Sequence, residues 1–353
     1  MSGKDKYVAY VGTYTHSNSI GIHVYDVDPA EGRLTERSVT PINNPSYLCT
    51  SRDGRFLYSI ADEGVAAFSI DQKTGDLTRI NQMWIGGMRG CYVDVDSRNR
   101  YLFVAGFHDG RVTMMRLEQD GSVGDIADGI FHQGVAISAN DRRLDHPEVS
   151  CVRLTPDEQY LCAADHGLNQ IKIYRVDYLR GKLKLVDIIR CAMDSGPRAL
   201  RFSADGKFLY VLTELDRTME VYAYSNEKDE PNFELVQKVP VMDQEFPTAA
   251  AICFVFNEDE SEIFVSIDGI NGISFLARDP QEGTLTYENM TLCSGDYPKS
   301  LIMLPGNEYY AVLNHDTNEI RTFRYFPENH YGLMKNAPVS VDKPNCIRIL
   351  KLS

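Results

Sequence analysis

No Cys-x-x-Cys pair, no Gly-rich phosphate loop before a helix, no Gly-x-Ser-x-Gly and no His-Glu-x-x-His occurs in these 353 residues. These absences argue against a paired redox or zinc thiol site, a nucleotide-phosphate cradle, an α/β-hydrolase nucleophile elbow and a zincin centre. No apolar run approaches the roughly 20 residues that span a bilayer. Positive charge is scarce as well, with 36 Lys and Arg against 50 Asp and Glu for a net charge of -14. A polyanion needs a basic face to release its counterions, so neither nucleic acid nor membrane is expected as a partner. Met1 to Lys6 is polar, with no apolar stretch behind a basic one, and a cytoplasmic protein is expected. Of the eight cysteines, Cys49, Cys91, Cys151, Cys162, Cys253 and Cys346 lie in apolar strand-like runs. They read as buried thiols rather than disulfide partners or zinc ligands.

What the chain does have is a hydrophobic fraction of 43%, 26 glycines, 20 tyrosines and 15 phenylalanines, a composition suited to many short strands and turns. It also has an internal repeat. The copy at Pro45 runs through Tyr47-Leu48-Cys49, the turn Asp53-Gly54-Arg55, the strand Phe56 to Ile60, a third strand Val65 to Ile70 and the turn Thr74-Gly75-Asp76. Copies follow from Arg89, His146, Gly196, Thr248 and Tyr297, and Asp205-Gly206-Lys207-Phe208-Leu209-Tyr210 nearly repeats the first. A period of roughly 50 residues belongs to propeller blades. Lys343 to Leu350 supplies a first strand only, whereas the start supplies a second (Tyr7 to Val11), a third (Gly21 to Tyr25) and a fourth. The expected fold is an all-β, seven-bladed β-propeller of four-stranded antiparallel blades, a single domain over 1–353 closed by pairing of both termini in one blade. Two adjacent sandwiches would leave that split unit unexplained.

In a propeller, the loop entering each first strand and the loop between the second and third strands open on one face. The entry loops contribute Arg89, Glu148, Arg198, Lys299 and Asn345; the others contribute Tyr14, Asp62, His108, Asp165, His166, Glu214, Asp268 and Asn314-His315-Asp316. Arg198 and Lys299 occupy matching blade positions, and cations with carboxylates and imidazoles around one concave mouth suit an anionic or polyhydroxylated small molecule. No cofactor is expected to be required. A divalent ion in the channel, held near Asp165-His166 or Asn314-His315-Asp316, is the alternative.

At Gly12-Thr13-Tyr14-Thr15, Asn44-Pro45-Ser46-Tyr47, Gly196-Pro197-Arg198 and Thr213-Glu214-Leu215 the chain resembles the propeller lactonase family, which contains bacterial propeller-type 6-phosphogluconolactonases and fungal carboxymuconate cyclases. The resemblance covers nearly the whole chain. It implies hydrolysis of a sugar lactone, with a sugar lactone or sugar acid as the small-molecule partner and an Arg and a Glu in the mouth matching Arg198 and Glu214. On that reading Arg198, helped by Lys299, stabilises an oxyanion, and Glu214 or Glu148 is the general base with His166 and His146 in reserve. Lys299, His146, Asp165, His108, Asp268 and Asn314 are the expected substrate contacts.

The chain departs from the family pattern at four places. Pro147-Glu148-Val149-Ser150 replaces Pro-His-x-His, Ala199 replaces a His, Ile267-Asp268-Gly269 replaces Asn-Arg-Gly, and Pro298-Lys299 replaces Pro-Arg. The loss of that arginine to Asp268 argues against a phosphorylated substrate. Two rival functions stay open at this point: a lyase or isomerase on a related sugar acid or keto-sugar, and a non-catalytic binding propeller.

Overall fold

The computed structural model describes residues 5–134 and 146–353. Seven antiparallel sheets follow one another around a central channel. Blade 1 takes its inner strand from Pro344–Lys351 and its other three from Tyr7–Thr13, Gly21–Asp28 and Arg33–Pro41. Blades 2 to 7 follow in chain order, with inner strands Leu48–Thr50, Tyr92–Val95, Val149–Leu154, Pro197–Phe202, Ala250–Phe256 and Pro298–Met303. Each inner strand touches the next, and Pro344–Lys351 touches both Pro298–Met303 and Leu48–Thr50, so the circle is complete. The expected terminal closure holds: Tyr7–Thr13 pairs antiparallel with Pro344–Lys351, with Tyr7 opposite Lys351 and Gly12 opposite Cys346. Blade 7 carries an additional short strand, Val339–Ser340, beside Glu319–Phe326.

The second strand of each blade is covered on both faces by neighbouring blades and therefore reads as a continuous apolar run rather than an alternating one. Phe56–Ala61, Tyr160–Asp165, Phe208–Thr213 and Tyr309–Asn314 are buried from end to end. Outer strands such as Arg33–Pro41 and Lys182–Arg190 are largely exposed. The core is thus divided into layers between blades. In one, Val8, Tyr10 and Val24 of blade 1 pack on Leu48, Leu57 and Phe68 of blade 2. Tyrosines stitch these layers together, since the hydroxyls of Tyr10 and Tyr210 each donate, at 2.8 Å, to a glycine carbonyl of the next blade, Gly75 and Gly283.

The Ser-x-Asp-Gly turns fix which end of a blade is free for chemistry. Ser51 Oγ donates to Asp53 Oδ1 (2.6 Å) and accepts from the Phe56 amide (3.0 Å), while Gly54 takes φ +69°, a value that favours glycine. Ser203, Asp205, Phe208 and Gly206 repeat the arrangement in blade 5. These turns close the lower end of the inner strands, so the strand-entry loops and the loops between second and third strands share the upper end.

Candidate active site at the channel mouth

A β-bulge at the top of the inner strand aims the mouth residues. Pro197 lies opposite Thr213 and Ala199 opposite Leu212, which leaves Arg198 opposite nothing. The same skip leaves Ser150, Ile252, Lys299 and Asn345 unpaired in blades 4, 6, 7 and 1. A bulge residue leaves the ladder and its side chain is redirected, and all five line the central cavity of about 740 Å³. Proline precedes Arg198, Lys299 and Asn345 as the first residue of the strand, a position that tolerates the missing N–H. Two oxygens of the cavity lining, Ser46 Oγ and Asn345 Oδ1, are buried without a hydrogen-bond partner among the described residues.

The second strand contributes in alternation. Its last residue, Thr13, Asp165, Thr213 or Asn314, is fully buried inside the blade. The next residue is Tyr14, His166, Glu214 or His315; Tyr14 lines the cavity, whereas His166 and His315 are buried beside it. This phase decides which sequence candidates reach the site.

On the side of blades 4 and 5 the charged groups are tightly paired. Arg198 donates to Glu214 Oε2 and, through Nε, to the Ile252 carbonyl at 3.1 Å. His166 stands between two carboxylates, with Nδ1 2.9 Å from Glu148 Oε2 and Nε2 3.3 Å from Glu214 Oε2. His146 Nε2 approaches the other Glu148 oxygen at 3.3 Å. Gly196, at φ +63°, allows this approach, because a Cβ there would lie 2.7 Å from His166 Nε2. Burial opposes charge on both His166 and Glu214, but their partners outweigh it. The Glu148 and Glu214 carboxylates raise His166 to about 9, and Arg198 with His166 lowers Glu214 to about 2. The cluster therefore holds an imidazolium and a carboxylate at neutral pH.

Asp165 stands behind this pair. It accepts from His132 Nδ1 (2.7 Å) and from the amides of Glu148 (2.9 Å) and Leu168 (3.0 Å), and Tyr174 bonds the far side of the His132 ring at 2.9 Å. It clamps the loop that presents Glu148.

On the opposite side the cations face aromatic rings. Lys299 Nζ lies 4.9 Å from the centre of the Tyr14 ring and 5.1 Å from that of Tyr297, and Arg89 lies 5.1 Å from Tyr14 on its way to Asp62 (3.2 Å). Burial and the nearby Arg198 lower Lys299 to about 8. Burial and Lys299 together lower His315, whose Nδ1 meets the Pro344 carbonyl at 3.0 Å, to about 4. This half of the mouth is short of negative charge.

A family model for Lactonase, 7-bladed beta-propeller, matches residues 8–349. The chain belongs to that family. Within it, a Bacillus subtilis (strain 168) protein named 6-phosphogluconolactonase is 27% identical over 351 residues, 98% of this chain and 99% of that one. A 6-phosphogluconolactonase of Formosa agariphila is 25% identical over 328 residues, 89% of this chain and 91% of that one. The solved structure of the Pseudomonas aeruginosa periplasmic gluconolactonase superposes with a TM-score of 0.92 at 27% identity, covering 99% of this chain and 100% of that one.

Against this lactonase frame, the structure sorts the sequence candidates. It gathers Arg198, Glu214, His166, Glu148 and His146 into one cluster. Of these Arg198 lines the cavity, as do Lys299 and His108, while Glu148, His166 and Glu214 stand behind Arg198. Asp268 ends its strand, Glu262–Asp268, half-buried and outside the cavity wall. Two expectations are corrected, because Asp165 and Asn314 are fully buried within their blades. Asp165 serves the clamp, and Asn314 Nδ2 serves the Cys293 carbonyl at 3.4 Å and Glu319 at 3.3 Å. Tyr297 and His132 were not foreseen. Tyr297 sits at a loop position with no motif, and His132 acts from the neighbouring blade, so no local spacing announces it. Among the described residues no three His, Cys, Asp or Glu side chains form a metal-ligating group, and no helix is long and apolar enough to cross a membrane.

Proposed function

We propose that this lactonase-family enzyme hydrolyses a sugar δ-lactone at the mouth of its channel, with the product sugar acid leaving by the same opening. One observation carries the reading. A protonated imidazole, a carboxylate and an arginine converge at bonding distance on one wall, facing a wall on which Lys299 has no ion pair among the described residues. The names of the relatives support a six-carbon aldonolactone.

In this mechanism the lactone carbonyl points towards Arg198 and Lys299, whose charges stabilise the oxyanion that forms when water adds. Glu148 takes the proton from the attacking water. Glu214, at about 2, is too weak a base for that task and instead holds Arg198 and His166 in place. Collapse of the tetrahedral intermediate breaks the bond to the ring oxygen, and His166 donates the proton that the departing hydroxyl needs. The proton on Glu148 then returns to His166 across their 2.9 Å contact. No cofactor takes part. The same proposal places the enzyme in a reducing compartment such as the cytoplasm, in keeping with eight cysteines that are all free thiols.

A ring-opening assay corrected for spontaneous hydrolysis tests this directly. Arg198→Ala and Glu148→Gln should each lower kcat about 10²-fold or more. Turnover at the wild-type rate in both would refute the assignment.

A further inference from the structure

Three residues beyond the bulge ring, the inner strands present a second ring of side chains to the same cavity. Arg201 follows Arg198 by three positions on Pro197–Phe202, about 10 Å further down at the usual strand rise. The turn bonds that end the inner strands, Ser203 to Phe208 and Thr155 to Tyr160, bring Arg153 to the level of Arg201. Arg348 joins them from blade 1, and Asp94 from blade 3. Cys49, Val255 and Ile302 complete the circle.

This lower ring is unbalanced. Arg153 reaches Asp94 at 3.3 Å and the Tyr92 hydroxyl at 2.7 Å, yet its Nε is buried with no partner among the described residues. Arg201 is fixed by its Nε to the Phe254 carbonyl at 2.8 Å, and Arg348 by one nitrogen to the Ile347 carbonyl at 2.7 Å. Neither meets a carboxylate among the described residues. Arg348 lies 4.7 Å from the centre of the Tyr47 ring and Arg153 5.8 Å from that of Tyr92, and these two rings are 4.1 Å apart. Arg52 and Glu258, one of each charge, also line the cavity and are both exposed to solvent. Three guanidiniums against one carboxylate in a confined space repel one another unless an anion joins them.

We propose that Arg153, Arg201 and Arg348 form an anion-binding site in the lower channel, separate from the mouth, that takes a phosphate group. Planar guanidiniums suit a tetrahedral oxyanion through paired N–H···O bonds. The phosphate is either a free ion or part of a sugar phosphate. The proposal does not rest on lactone hydrolysis, because binding is measured without turnover.

The probe is inorganic phosphate, titrated calorimetrically and by thermal shift at constant ionic strength, with chloride as the control. Saturable binding that raises Tm is expected in the wild type and in Arg198→Ala, at least 10-fold weaker in Arg201→Gln, and partly restored in Arg201→Lys. A wild-type crystal soaked in tungstate should show the anion among the three guanidiniums, which keeps the test open if a variant fails to fold. Two arms separate the sources. If phosphate competes with a sugar δ-lactone, and a sugar acid phosphate binds more tightly than phosphate, the ring receives part of the substrate. If phosphate binds without competing, the site takes the free ion. No binding in the wild type, binding unchanged in Arg201→Gln, loss in Arg198→Ala instead, or tungstate outside the ring would each overturn the proposal.

Discussion

The two walls of the mouth handle charge in opposite ways. On blades 4 and 5, Glu148, His166, Glu214 and Arg198 pair their charges with one another. Across the opening, Lys299 and Arg89 rest on Tyr14, and burial together with the positive field there depresses the protonation of Lys299 and His315. The difference teaches a division of labour. In the proposed mechanism the paired wall holds acid and base in fixed positions before substrate arrives, while the unpaired wall gains most when negative charge appears in the transition state.

The paired wall should fail first. Asp165→Ala removes the clamp and leaves His132 and two amides without an acceptor in a dry interior, which should cost about 3 kcal/mol or more and lower the thermal midpoint by several degrees. A calorimetric Tm within 1–2 °C of wild type, an interval of about 0.5 kcal/mol, would show that the wall does not depend on it. Glu214→Gln should reduce kcat about 10²-fold with KM little changed, because Arg198 and His166 lose the group that orients them. Lys299→Met removes a cation from the unpaired wall and should cost about 10-fold.

Lys299→Arg sharpens the contrast through pH. With Lys299 at about 8, wild-type kcat/KM should fall as pH rises through about 8, while the arginine variant should hold until His166 deprotonates at about 9. Identical alkaline limbs would remove Lys299 from the chemistry.

The smallest effect is on stability. Glu214 stabilises the fold above its ordinary 4.5 and loses that contribution as pH falls through about 2. His166 does so below its ordinary 6.5 and loses it as pH rises through about 9. Urea midpoints should therefore be highest between about pH 4.5 and 6.5 for this cluster, and His166→Gln should remove the decline on the alkaline side.

The ring was legible because each blade writes its own turns: Asp53-Gly54 and Asp205-Gly206 mark the same reversal, and the unpaired ends of the chain complete one another. The resemblance at Gly196-Pro197-Arg198 and Thr213-Glu214-Leu215 singled out Arg198 and Glu214, which the structure joins. Residue phase was not legible. Asp165 and His166 are adjacent, both polar and both buried, and only the register of Val149 opposite Asp165 shows that the first is enclosed in the blade while the second reaches Glu148 and Glu214. The lower arginine ring was hidden for a related reason, since Arg153, Arg201 and Arg348 lie on three blades and meet only when the circle closes.

The most direct test is a crystal structure of the enzyme with a sugar acid, the hydrolysis product, at saturating concentration. The product carboxylate should lie between the walls, within about 3 Å of both Arg198 and Lys299, with its nearest hydroxyl towards His166. Product bound on the outer strands or at the lower rim, with the mouth filled only by water, would contradict the account.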